Sequence, residues 1–253
     1  MQTIGAPKLP AVIGGYVVAL DDRGTAYATW TGAGVRISGV QLAARGRHGP
    51  WGTVRRIGSG SNPVIAATPD GSAIVGWHLA DPDSEGGGTH YGPLMVATRL
   101  PNGAITAPQQ VSPIQTHAYT LAVAGSGEVM LADSALAPGE QPSLSYAVRP
   151  PQGGPFGAAR LVPGVQPGEY VGGQLAYLGD GTAIYVWDDT YRNSGLHSIA
   201  RPAGGEFGDL QDIARDTDAD SAPMLGAYGN TAVVAWTQLV TNSNSSYVSS
   251  DRP

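Results

Sequence analysis

Asp180-Gly181-Thr182-Ala183-Ile184-Tyr185-Val186-Trp187 is a turn followed by a short apolar strand that ends in tryptophan, and the chain repeats it. The counterparts are RGTAYATW at Arg23–Trp30, DGSAIVGW at Asp70–Trp77, GNTAVVAW at Gly229–Trp236 and SGEVMLAD at Ser126–Asp133, where the final Trp is replaced by Asp133. Six residues before each end stands Gly24, Gly71, Gly127, Gly181 or Asn230, residue types that tolerate positive φ in a hairpin turn. One backbone geometry recurring in this way marks a repeat.

A second phrase alternates with the first. Strands ending in arginine run into a Gly/Pro-rich turn and another short strand, in LAARGRHGPWGTVRRI, MVATRLPNGAITAPQQV, YAVRPPQGGPFGAARLV and SIARPAGGEFGDLQDI. The arginines are Arg45, Arg99, Arg149 and Arg201, joined by Arg252 in SSDRP, and they are spaced by 54, 50, 52 and 51 residues. Each unit therefore reads as four strands: A, an apolar run such as PVIAATP; B, ending in Trp; C, ending in Arg; and D, typified by QQVS. Short strands bounded by Gly, Pro and Asn, with no helical periodicity and a period of about 50 residues, are the pattern of propeller blades.

The ends decide between a ring and an open array. TIGAPKLPAVIGG, from Thr3, resembles RIGSGSNPVIAA at 56–67, so the chain begins in a D strand, while SYVSSDRP ends it in a C strand. The last unit lacks the piece that the start supplies, and closing a ring removes an open sheet edge. The expectation is a single all-β domain over 1–253: a five-bladed β-propeller with four-stranded blades, closed by the N-terminal strand pairing into the C-terminal blade.

Composition narrows the partners. With 37 Gly, 20 Pro and no Cys, the chain is rich in turns and must draw its stability from an extended apolar core. A formal charge of -6, with Lys8 the sole lysine, gives no broad cationic surface for a phosphate backbone, so nucleic acid is not an expected partner. No apolar run approaches the roughly 20 residues of a membrane helix, and Ala11–Leu20, broken by Gly14 and Gly15, reads as a strand. The expected location is secreted or in the cell envelope.

RPAGGEFG together with DGTAIYVW resembles uncharacterised tandem-repeat proteins of actinobacteria that carry phrases of the type R-P-x-G-G-x-F-G and D-G-x-A-V-V-x-W. The resemblance spans essentially the whole chain; it implies a propeller-like repeat and no activity. DDRGTAYATW resembles the Asp-box of sialidase propellers more weakly, because the serine and the compact spacing are absent.

In a propeller the D-to-A and B-to-C loops crowd one face around the channel, so irregular residues there are the candidate binding determinants. The repeated tryptophans offer an aromatic platform for sugars or, more simply, packing between sheets; the repeated arginines read as partners for carbonyls or acids between blades. Breaks in the repeat carry more information. Asp133 in a Trp position must face solvent, a partner or a ligand, since an unpaired buried charge is costly, and a degenerate blade with local repair is the simpler reading of the break. His78, Asp188 and Asp189 directly follow Trp77 and Trp187 and are expected to point toward the channel mouth, with His117, Tyr119, Glu169 and Tyr170 approaching from D-to-A loops.

These residues form a candidate site for a carbohydrate or protein ligand in a non-catalytic binding module. The alternatives are a glycan hydrolase drawing carboxylates from different blades, for which Asp133, Glu169 and Asp188 suffice in number, and a structural scaffold. Asp216, Asp218 and Asp220 alternate oxygen ligands as calcium loops do, without the central Gly or distal Glu of an EF-hand, and are the candidate cation site; no other cofactor is expected.

Overall fold

A computed structural model describes residues 12–33, 39–79, 92–112, 115–136, 143–165, 171–189, 195–215 and 223–237. The described residues form eighteen strands and no helix. The first sheet is an antiparallel meander of β1 (Val12–Leu20), β2 (Ala26–Ala33), β3 (Gly39–Arg45) and β4 (Arg55–Gly58). The second contains β5 (Ser61–Ala67), β6 (Ala73–His78), β7 (Leu94–Arg99) and β8 (Gln109–Ser112). The third contains β9 (Gln115–Val123), β10 (Val129–Leu136), β11 (Ser143–Arg149) and β12 (Arg160–Leu161). The fourth contains β13 (Val171–Tyr177), β14 (Ala183–Asp189), β15 (Gly195–Arg201) and β16 (Gln211–Arg215), and the fifth contains β17 (Met224–Tyr228) and β18 (Thr231–Ala235).

The strand order A-B-C-D within each four-stranded sheet is the one the repeat predicts. Each first strand lies against the first strand of the next sheet, β1 on β5, β5 on β9, β9 on β13 and β13 on β17, which gives the molecule its propeller-like arrangement. The segments Thr3–Leu9 and Ser246–Pro253, whose pairing would close a ring, lie outside the described residues.

Period-two alternation explains the core, because side chains of one strand go alternately to the two faces of its sheet. In β6, Val75 and Trp77 pack toward the first sheet with Tyr27, Val40 and Leu42, while Ile74 packs toward the third with Val129 and Leu131. In β10, Met130 and Ala132 turn the other way and meet Tyr185, Trp187 and Ile199 of the fourth sheet. The core is thus a set of layers between successive sheets.

The A-to-B turns show why glycine recurs. In the second sheet Thr68 N donates to Ser72 O (2.9 Å) and Gly71 N to Thr68 O (2.9 Å), with Gly71 at φ 85°. The last copy differs: Tyr228 pairs directly with Thr231, and positive φ falls on Gly229 (53°) rather than on Asn230. A tighter two-residue turn has replaced the five-residue one that separates Ala67 from its partner Ala73. All these turns lie at one end of the sheets. The B-to-C segments 34–38, 80–91, 137–142 and 190–194 and the D-to-A segments 113–114, 166–170 and 216–222 leave from the other end and lie outside the described residues.

Candidate functional site

The repeated tryptophans are packing residues where they are buried. Trp77 and Trp187 are both sealed between sheets, which removes them as a sugar platform. Trp77 lies over Gly58 of the preceding sheet, where a Cβ would come 2.5 Å from its Cζ2, and its Nε1 donates to Ser59 O at 3.0 Å. Glycine at position 58 is the cradle that admits the indole. Trp30 is half-buried and Trp236 is 42% exposed.

Two of the repeated arginines, Arg99 and Arg201, tie neighbouring sheets together at the turn end. Arg201 of β15 donates to Glu128 at 2.8 Å, and the Tyr177 hydroxyl donates to the same carboxylate oxygen at 2.8 Å. Burial and the bond to Glu128 push the Tyr177 phenol well above its ordinary range. Arg99 of β7 lies over the Tyr27 ring, 5.5 Å from its centroid, and donates to Leu100 O.

At the loop end of the junction between the second and third sheets, polar side chains replace this apolar packing. Asp133 occupies the Trp position of β10 and is 2% exposed, so of the readings the sequence left open it takes local repair and not a solvent-facing place. The carboxylate is repaired locally. Ser145, directly opposite on β11, donates to its Oδ1, and Ser112 of the second sheet bonds to it across the junction. Ser112 pairs with Leu94 as Gly58 pairs with Val40, so Ser112 stands where the glycine cradle stands one sheet earlier. A Trp–Gly contact has become an Asp–Ser contact. Asp133 Oδ2 has no hydrogen-bond partner among the described residues, and burial pushes the carboxyl up to about 6 despite the opposing pull of the two serines.

Tyr119 is the partner of Asp133 on β9, and its hydroxyl reaches the carbonyls of Asn62 and, at 3.4 Å, Gly76. Asn62, at φ 52°, sits in the bulge of β5 opposite Trp77. The Tyr119 ring meets His78 edge-on at 4.6 Å, so Tyr119, His78 and Asp133 are brought to one junction.

His78 and Asp188 do not point to a channel mouth as expected. Both are buried, at 2% and 4% exposure. Alternation turns each sideways into the layer toward the following sheet, because the preceding Trp faces the other way. Thr31 and Ser134 occupy the same register in β2 and β10, one residue past the Trp position. Thr31, His78, Ser134 and Asp188 thus form a recurrent polar position at the loop end. Sequence reading picked out His78 and Asp188 but missed Ser112, Ser134 and Ser145; their signal was the substitution of a small hydroxyl residue at positions related to Asp133 by sheet register.

His117 and Asp189 belong to β9 and β14, with side chains outside the described part. Glu169, Tyr170, Asp216, Asp218 and Asp220 also lie outside the described residues. Among the described residues no three His, Asp or Glu side chains converge as a cation site, and no helix is long and apolar enough to cross a membrane.

No family model and no curated protein matches this chain. Solved structures do. A protein of unknown function from Dyadobacter fermentans DSM 18053 superposes with TM-score 0.58 at 10% identity, covering 80% of this chain and 69% of that one. The Hadza microbial sialidase Hz136 gives TM-score 0.55 at 9% identity, covering 80% and 47%, and the polysaccharide lyase Uly1 gives 0.50 at 12%, covering 79% and 54%. The chain spans about half the length of the sialidase and of the lyase. These likenesses define an all-β, propeller-like fold.

Proposed function

We propose that this chain is a glycan-recognising β-propeller whose ligand binds at the loop end of the sheets, outside the cell or in its envelope. The observation that carries the reading is the polar register at that end. Burying hydroxyls, an imidazole and two carboxyls in otherwise apolar layers is costly unless the groups are bonded or used. They are concentrated where the loops that distinguish one repeat from another emerge. A sialidase and a polysaccharide lyase of similar fold support a glycan as the ligand class.

The ring is part of the proposal. Tyr16, Val18 and Leu20 are 80%, 58% and 69% exposed on the face of the first sheet turned away from the second. Met224, Val233 and Tyr228 are 74%, 66% and 92% exposed on the face of the fifth sheet turned away from the fourth. These are the two faces that closure would bring together, with strands from both termini completing the fifth blade. Val18→Asp and Val233→Asp should then each destabilise the chain by about 2 kcal/mol; unchanged urea midpoints in both would argue for an open array.

A second reading, hydrolysis, is favoured by one observation. A carboxyl with a pKa of about 6 holds its proton at mildly acid pH, as a general acid must. A glycan array combined with reducing-sugar release separates the readings. Retained glycans without sugar release are expected. Turnover abolished by Asp188→Asn or Asp133→Asn would overturn recognition without catalysis, and an array with no retained glycan would leave a scaffold.

A further inference from the structure

At the turn end, three junctions carry equivalent clefts, each walled by a C strand and its D segment and floored by the arginine of the following sheet. Arg99 floors one of about 180 Å³, Arg149 one of about 300 Å³ and Arg201 one of about 180 Å³. The largest differs from the others in the state of its guanidinium. Arg201 has Glu128, and Arg99 has the face of Tyr27. Arg149 is 7% exposed and donates from Nε to Gly154 O at 2.9 Å, but among the described residues no carboxylate lies within the 4.0 Å of an ion pair.

The repeat explains the difference. Glu128 follows the turn glycine Gly127, and alternation sends it toward Arg201; Ser72 follows Gly71 and occupies the same place facing Arg149. Asp70 feels the Arg149 charge, yet its oxygens are engaged by the Thr68 hydroxyl and by the Ser72 N–H and hydroxyl. A nearly buried cation is therefore left facing a cleft without the acid that its neighbour receives, an arrangement that is costly unless an anion completes it. The guanidinium edge is suited to bidentate contact with a carboxylate. Val96, Leu100 and Pro155 supply aliphatic wall, and Thr98 and Thr106 lie beside them.

We propose that Arg149 anchors a second ligand site, at the opposite end of the sheets from Asp133, for a carboxylate-bearing sugar, the choice of a sugar resting on the glycan reading proposed above. The carboxylate occupies the position that Glu128 takes at the next junction, and the sugar body fills the extra volume of this cleft.

Calorimetric titration of the intact chain with glucuronate, glucose, acetate and sulfate tests it. Saturable binding of glucuronate is expected, with glucose, acetate and sulfate weaker by about tenfold or more. Ser72→Glu installs the acid found at the next junction, so it should abolish glucuronate binding while raising or preserving Tm; Arg149→Gln should abolish it by removing the cation. The two variants act on opposite partners, so either one that stays folded decides. Absence of saturable glucuronate binding, glucose or sulfate binding as tightly as glucuronate, or full binding in a folded variant of either kind would overturn the proposal.

Discussion

Asp133→Asn tests the energetics of the second junction most directly. An ordinary aspartate has a pKa of 3.8, and burial holds Asp133 at about 6. At 1.36 kcal/mol per pH unit the gap is worth about 3 kcal/mol. Its sign follows from proton occupancy. Between pH 3.8 and 6 the folded chain keeps a proton that the unfolded chain releases, so the stability associated with Asp133 is fully present below 3.8 and is lost as pH rises through 6. Urea unfolding of the parent and the variant at intervals from pH 4 to 8 reads this directly. The variant, neutral and nearly isosteric, should match the parent near pH 4 and exceed it by up to about 3 kcal/mol above pH 7. Asp21 and Asp70, whose carboxyls are held below the usual range by local hydrogen bonds, act in the opposite direction but are common to both proteins and cancel in the difference. Because histidine titrates in an overlapping window, the comparison is repeated in a His78→Gln background. A difference that stays constant with pH, or a variant less stable than the parent at pH 8, would refute the reasoning.

Other packing claims are equally open to measurement. Gly58→Ala places a methyl 2.5 Å from the Trp77 ring and should cost about 1–3 kcal/mol in urea unfolding, whereas alanine at Gly226, which has nothing within 4 Å, should cost under about 1 kcal/mol. Trp187→Ala should cost about 3–5 kcal/mol, far more than Trp236→Ala, because only the former empties a sealed site. Arg201→Met strands Glu128 and should destabilise by about 3–5 kcal/mol, while the double variant with Glu128→Met should recover most of the loss; equal losses in both would show that the pair does not couple.

Sequence periodicity carried the strand order because it depends on local rules. The turn glycines, the terminal Trp and the terminal Arg recur at positions set by hairpin geometry, and the sheets follow them. Asp133 was read less well: its repair depends on Ser112, which is twenty-one residues away and on a different sheet. Hydrophobic pattern says that a position faces inward; it does not say which residue of the preceding sheet it meets. Glu128 was overlooked for the same reason, since its partner Arg201 is 73 residues further on. Where an acid is satisfied within its own hairpin, as Asp21 is by the N–H groups of Arg23 and Thr25, adjacency in the chain is enough to find its partners.

The exchange of Trp77 over Gly58 for Asp133 beside Ser112 bears on how such a chain can be rebuilt. Complementary residues belong to different repeats, so the heritable module is the seam and not the blade. Moving the third repeat alone into second place would set a carboxyl against a bare glycine hollow, while the indole of Trp187 would find Ser112 in its berth. Shuffling, duplication or consensus design in this architecture succeeds only when cut points fall inside a sheet, so that both lips of each seam travel together.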